Sequence, residues 1–244
     1  SVSRGLGDVY KRQQLVKLKN AGQVNKMYTL AFDTTANGVS VLLSKDGRTI
    51  DLFQEEMDFG QAEVLIPEIR NTLEAENLQF KDLGLAVVCT GPGSFTGVRS
   101  SISAARAFGL ACPKTKIIGV SAFEAYAHSL DAEETAKINA VIIETKREDF
   151  YYQLFDEKLK KITEPAAGTY EEIIDRLRGP KVTLVGDGVE RFLNKPSGLS
   201  LHAIKMLNCP PIEDLAACGL QKYQNKIFDF PKPLYLRAPD VCIK

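Results

Sequence analysis

The run Thr90-Gly91-Pro92-Gly93-Ser94-Phe95-Thr96-Gly97-Val98-Arg99 constrains this chain more than any other. It follows an apolar stretch, residues 83–89, with the length of a buried strand. It leads into residues 98–111, whose pattern predicts a helix. Strand, tight turn and helix start together form a common anion-binding unit. Glycines let the backbone bend and come close to a ligand, and the N–H groups of the first helical turn have no intrahelical partner. The run is not a P-loop, because it lacks Gly-Lys-Ser/Thr, and not a dinucleotide fingerprint of the GxGxxG kind.

The neighbouring segments suggest a duplication. Residues 28–32 and 39–44 predict strands joined by the turn Asp33-Thr34-Thr35-Ala36-Asn37-Gly38. Asp46-Gly47 is a strong hairpin signal leading to a third strand at 49–53. Ala62, Leu65, Ile66, Ile69 and Leu73 predict a helix over 61–76, with Pro67 tolerable only near its start or at a kink. A short strand at 117–120 precedes a helix that Ser121 and Glu124 would cap. The second half repeats the scheme. It has strands at 138–143 and 150–155 around the turn Glu144-Thr145-Lys146-Arg147-Glu148-Asp149, then a short strand from Leu159. A helix capped by Thr169 and Glu172 comes next, then a strand at 182–185 ending in Gly186-Asp187-Gly188. A last helix opens at Pro210-Pro211. Asp33-Thr34-Thr35 and Glu144-Thr145-Lys146 fall at equivalent points of this pseudo-repeat. The expectation is an α/β protein with two RNase H-like lobes in the actin-like, sugar-kinase-like ATPase fold, the second lobe reduced. Residues 27–130 would form the first lobe, and 131–244 the second with a terminal extension. Residues 1–26, basic and lacking the apolar core of a signal peptide, read as a non-native or disordered extension, with a genuine basic arm as the rival reading.

Charge and cysteine content narrow the function classes. The net charge is zero, but residues 1–26 carry six basic side chains against one acidic, leaving the remainder acidic by five charges. Such a body is not by itself a tRNA-binding surface. The five cysteines lack CxxC spacing, which favours reduced thiols and a cytoplasmic setting. No apolar run approaches the length of a membrane span, so no membrane association is expected. His128 and His202 stand alone, with no HxxxH or HExxH spacing, and Ser94 and Ser121 have no triad partners in sequence. A metal centre and a hydrolase triad are therefore not expected.

Asp33, Thr34, Thr35 and Asn37 could bind phosphate and order a magnesium-bound water, or could simply make a turn through their own backbone bonds. Thr145 and Lys146 form the second phosphate candidate, beside Arg147. A turn with no glycine hinders close backbone approach and fits an exposed charged loop equally well. Gly186-Asp187-Gly188 could approach a nucleotide, but a strand-to-helix turn is the favoured reading. The helix after the glycine turn is rich in Ser and Ala, which lets another helix pack closely.

Gly91-Pro92-Gly93-Ser94-Phe95-Thr96-Gly97-Val98-Arg99 with its small-residue helix resembles the signature of the TsaB family (YeaZ-like, glycoprotease-like), and the run 233–239 resembles the family's ending. The resemblance covers residues 27–241. It implies a dimerisation subunit without catalytic residues, in the machinery that makes threonylcarbamoyladenosine in tRNA. The implied partners are a TsaD-like catalytic paralogue, a TsaE-like ATPase and tRNA, reached mainly through the complex; a homodimer is the fallback. No cofactor is required by this chain, and ATP or ADP with magnesium is at most a weak ligand in the complex. The implied partner face uses Gln61, Leu65 and Ile69 from one helix, and Arg99, Ile102, Ala105, Arg106 and Phe108 from the next. The turn Gly91, Gly93, Ser94, Phe95, Thr96 and Gly97 shapes that face. Gln61 stands where family members often carry His. The alternative is a self-sufficient kinase or ATPase of the same fold, and a standalone peptidase is a third class.

Overall fold

The computed structural model describes residues 27–228 and 230–237. Expectations for residues 1–26 lie outside the described residues. The first half runs β1 (Tyr28–Asp33), β2 (Gly38–Lys45), β3 (Arg48–Glu56), α1 (Gln61–Ala75), β4 (Leu83–Cys89), α2 (Phe95–Ala111), β5 (Lys116–Val120) and α3 (Ala122–His128). The second runs β6 (Ile138–Glu144), β7 (Phe150–Phe155), β8 (Ala166–Gly168), α4 (Tyr170–Leu177), β9 (Val182–Gly186), α5 (Val189–Leu193), β10 (Leu201–Met206) and α6 (Ile212–Gln224). Each half is βββαβαβα. The sheets have matching orders, β3-β2-β1-β4-β5 and β8-β7-β6-β9-β10. In both, the first three strands are antiparallel neighbours and the last two pair parallel to the first. The reduction of the second half lies in length: β8 has 3 residues where β3 has 9, and α4 and α5 have 8 and 5 where α1 and α2 have 15 and 17.

Alternation along the central strands divides the interior into three cores. Leu30 and Phe32 of β1 face Leu65, Ile69 and Leu73 of α1 and Val98, Ile102 and Ala105 of α2. Ala140 and Ile142 of β6 face Ile173, Ile174 and Leu177 of α4 and Phe192 of α5. The opposite faces of both sheets, through Ala31, Leu85, Val87, Val141, Ile143 and Val185, share one central core. Phe123 and Tyr126 of α3 and Ile212 and Leu215 of α6 fill it. The two helices cross over. α6 lies against the first sheet, on β1, β2, β4 and β5, whereas α3 lies against the second, on β6, β7 and β9. Gly219 lets α6 settle there, since a Cβ would stand 2.3 Å from a Val87 methyl.

Local signals account for most boundaries. Asp46 and Gly47 both have positive φ, 52° and 76°, as a two-residue hairpin of the twisted kind requires. Ser121–Glu124 and Thr169–Glu172 form reciprocal capping boxes. Two expectations need correction. α2 starts at Phe95 rather than Val98, because Ser94 caps it. Leu159 does not open a strand. It sits at φ 57° in a turn gathered by Asp156, and the third strand of the sheet forms later, at β8. β10 and α5 gave no clear signal. On β10 the apolar residues Ile204 and Met206 are exposed, so its pattern does not mark a buried face, and α5 is a single short turn of helix.

Leu215→Ala is expected to cost about 2–5 kcal/mol, the range for opening a cavity at a fully buried leucine. Because the core is shared, thermal unfolding followed by circular dichroism and by tyrosine fluorescence is expected to remain one coincident transition, shifted down.

A closed pair of phosphate turns beside an exposed helical face

The glycine turn between β4 and α2 does not enclose empty space. A Cβ on Gly97 would lie 1.8 Å from the Thr34 carbonyl oxygen, and one on Gly93 would lie 2.2 Å from that of Thr35. Those carbonyls belong to the turn between β1 and β2. The Ser94 N–H donates to the Thr35 oxygen at 2.7 Å, and the Thr34 hydroxyl donates to the Gly97 oxygen at 2.7 Å and meets Ser101 Oγ at 2.7 Å. The glycines thus serve close approach, as the sequence implied, but what approaches is this chain's own backbone. The Thr35 carbonyl oxygen takes the N–H of Ser94, the residue that caps α2.

This contact fixes where the candidate phosphate residues lie. Asp33, Thr34 and Thr35 are buried. The Asp33 carboxylate accepts the Thr35 N–H at 2.8 Å, and burial raises its pKa against the opposing pull of that bond. Thr35 Oγ1 meets Cys89 Sγ at 3.5 Å, and burial pushes the Cys89 thiol well up. Asn37 is exposed and reaches across to the second half, its Oδ1 accepting from Lys146 Nζ at 3.0 Å. Asn37 and Lys146 are therefore brought together, while the other candidates face inward. Thr145 is occupied locally, donating to the Asp149 carbonyl at 2.6 Å.

The second half repeats the closure with different chemistry. Gly186, at φ 129°, would place a Cβ 2.2 Å from the Ile142 carbonyl oxygen, and Gly188 would crowd the Ile143 backbone at 2.9 Å. Asp187 between them accepts the Glu144 N–H at 2.9 Å. Gly186-Asp187-Gly188 is therefore a turn packed onto the end of β6, as favoured. Burial pushes Asp187 up to about 7, aided by the Glu144 charge. Burial also acts on Glu144, but the Arg191 guanidinium, at 2.6 and 2.8 Å, outweighs it and holds that carboxyl below its ordinary value.

The implied partner face divides into two sets. Leu65, Ile69, Ile102 and Ala105 are turned into this chain's own core, as is Gly97, so these side chains cannot meet a partner. Burying such a leucine contributes about 1.5–3 kcal/mol to this fold. Gly91 is likewise buried. Phe108 stacks on Phe80 at 4.1 Å and meets Phe32 edge-on. Gln61 donates to the Met57 carbonyl at 2.9 Å. The outward set comprises Ser94, Phe95, Thr96, Arg99 and Arg106, joined by Ser103 and Ala107 of the small-residue helix and by Ile66 and Leu110, which the sequence reading did not assign to that face. Helical period from the buried set would have found them.

Residues 230–237 form a strap that the sequence did not reveal. The Leu234 N–H donates to the Thr90 carbonyl at 2.9 Å, and the Arg106 guanidinium donates to the Pro231 carbonyl at 3.0 and 3.3 Å. Arg99 donates to the Tyr235 hydroxyl at 2.9 Å and lies 3.7 Å over the Phe95 ring. Arg237 pairs with Asp149 in the second half. The strap therefore runs from α2 across the end of β4 to the β6–β7 turn.

Among the described residues no group of three or more His, Cys, Asp and Glu is placed to hold a metal ion. His128 pairs with Asp214 at 2.7 Å, and His202 Nε2 lies 3.0 Å from the Glu133 carbonyl oxygen. Cys89, Cys112, Cys209 and Cys218 are free thiols. Among the described residues no helix is long and apolar enough to cross a membrane.

Duplicated βββαβαβα halves with exchanged terminal helices define the two-lobed actin-like ATPase fold, here with the glycine turns filled by backbone. The family described as "TsaD: tRNA N6-adenosine threonylcarbamoyltransferase" matches residues 60–239. The "tRNA threonylcarbamoyladenosine biosynthesis protein TsaB" of Escherichia coli K12 is 28% identical over 223 residues, covering 86% of this chain and 95% of that protein. The protein of the same name from Buchnera aphidicola is 25% identical over 171 residues, covering 67% of this chain and 76% of its own. The solved structure of YeaZ from Pseudomonas aeruginosa superposes with a TM-score of 0.73 at 22% identity, over 86% of this chain and all of that one. The chain belongs to this TsaD-related family, and within it to the TsaB family.

Two outcomes follow from this geometry. Gly97→Ala is expected to lower stability by about 3 kcal/mol or more in chemical denaturation, because the obstructing atom is a backbone oxygen that cannot swing aside. The second concerns pH. The folded Asp187 pKa is raised, so the folded state keeps a proton that the unfolded state has released, and stability falls as pH rises toward 7. Asp33 acts in the same direction, whereas Glu124, Glu134 and Glu144 are lowered and act below their ordinary value. Asp187→Asn keeps an acceptor for Glu144, so its stability relative to the parent is expected to rise steadily between about pH 5 and 7. Thermal melts across that range measure it.

Proposed function

We propose that this chain takes part in the biosynthesis of threonylcarbamoyladenosine in tRNA as a subunit without catalytic residues of its own, which binds and activates a TsaD-like paralogue. The observation that carries the reading is the pair of closed turns. The residues best suited to phosphate, Asp33, Thr34 and Thr35, are buried behind bonds to the glycine turn, whose Gly93 and Gly97 are pressed against this chain's own carbonyls. The names of the curated relatives support the pathway.

The partner face lies on the outer sides of α1 and α2. Ser103 and Ala107 give α2 a low profile, and Ile66 supplies an exposed apolar side chain on α1. Small residues let a facing helix approach closely, and two helices presented together suit a four-helix contact. A TsaE-like ATPase would join the complex, which would supply most contacts to tRNA. The intact chain alone falls back on a homodimer through the same face. Residues 27–130 and 131–244 would be the two structural units, and a cytoplasmic location follows from the substrate.

Co-purification with a TsaD-like protein from the same source tests the reading. Ala107→Trp is expected to abolish the complex while leaving the melting temperature unchanged, since residue 107 is exposed. A chain that forms no complex but hydrolyses ATP with magnesium, and loses that turnover in Asp33→Ala, would overturn the proposal in favour of a self-sufficient enzyme.

A further inference from the structure

The surface where the strap meets α2 has a composition unlike the rest of the molecule. Residues 83–123 contain no Asp or Glu, and the strap, residues 230–237, contains none either. Four aromatic rings are exposed there: Phe95 at 44%, Phe228 at 53%, Phe230 at 58% and Tyr235 at 46%. Each has a cation beside it. Arg99 lies 3.7 Å from the Phe95 centroid and 6.0 Å from that of Tyr235, Arg106 lies 5.4 Å from Phe230, and Lys116 Nζ lies 5.9 Å from Phe228. Exposed Lys114 and Lys232 extend the same positive field. Among the described residues none of Arg99, Arg106, Lys114, Lys116 and Lys232 is ion-paired with a carboxylate. Several cations elsewhere are paired: Lys222 and Lys161 with Glu124, Arg191 with Glu144, Lys205 with Glu134 and Arg237 with Asp149.

We propose that this strip of cation-flanked aromatics along α2 and the strap binds unpaired RNA directly. Cations with no carboxylate partner recognise phosphates, and exposed ring faces and guanidinium planes stack on unstacked bases. Carboxylates are sparse along the strip, with Asp229 between Phe228 and Phe230 the one acidic residue in 83–123 and 228–237, even though residues 27–244 as a whole are acidic. An apolar protein partner would not need a cation at each ring. The choice of RNA among polyanions rests on the proposed role in tRNA modification. The strip adjoins the low-profile Ser103 and Ala107 stripe assigned to the paralogue, since Arg99 and Arg106 lie one turn to either side of Ser103 on the same face of α2, so RNA held there would run along the edge of the paralogue contact.

The test is fluorescence anisotropy with the full chain and a labelled RNA hairpin whose loop is unpaired, titrated at several salt concentrations. The intact chain is expected to bind at low salt with a steep salt dependence. Phe230→Ala is expected to weaken binding by roughly tenfold, whereas Tyr235→Phe, which keeps the ring, leaves it within a factor of about two. Lys116→Glu is expected to make the salt slope shallower by about one unit. Melting temperatures control for folding, and all three positions are exposed. Affinity unchanged by Phe230→Ala and Lys116→Glu overturns the proposal, as does equal affinity for a duplex lacking any loop. If Phe230→Ala instead abolishes the complex with the TsaD-like protein while RNA binding stays intact, the strip is a protein interface and the proposal fails. Complex formation is scored on its own, so failure of RNA binding leaves the subunit role standing.

Discussion

Everything distinctive in this protein follows from two backbone segments pressed together without side chains between them. The Thr34 and Thr35 carbonyls lie against Gly93 and Gly97, at separations that exclude even a methyl group. The Thr35 carbonyl takes the N–H of the capping residue Ser94, while the Ser94 hydroxyl takes that of Gly97. The contact sets the entry of α2, and with it the position of the helical face and of the strap that leans on it. It also explains why an acidic-Thr turn and a glycine turn can both be present with no open phosphate cradle between them.

The second half reaches the same closure by another route. Gly186 and Gly188 press on the end of β6, with Asp187 taking the Glu144 N–H and Arg191 holding the Glu144 carboxylate. Lys146 then spans to Asn37, and Arg237 to Asp149, so the halves are tied at their turns as well as through the central core. Each of these ties uses a charged or amide group that the turn alone would have left to solvent.

Much of this was legible in the sequence where one residue type admits one local geometry. Asp46-Gly47, the two capping boxes and the strand at 83–89 are of that kind, and the repeat of hairpin, helix and strand predicted the duplication. The glycine turn was recognised, but not its occupant, because Thr34 and Thr35 are some sixty residues away and nothing local announces the contact. Leu65 and Ile69 were assigned to a partner through the family resemblance, and apolar period could not correct that, because it marks a buried face without saying whose surface buries it. The strap left no signal either: Pro231 and Pro233 favour an extended chain, and its docking depends on Arg99 and Arg106 on a distant helix.

The exchange of α3 and α6 also sets a timetable for synthesis. Ala31, Leu42, Leu85 and Val87 on the inner face of the first sheet lie in the core that α6 helps to fill, and α6 spans residues 212–224, made long after that sheet. During translation the first sheet can gain α1 and α2 on its outer face at once, yet its inner face stays bare until residues 212–224 have left the ribosome. An apolar sheet face exposed for that interval is what chaperones bind and what nascent chains aggregate through. The permanence of the joined halves is thus obtained at the expense of a vulnerable nascent chain, and the last helix acts as the closing step of folding for the first half as much as for the second.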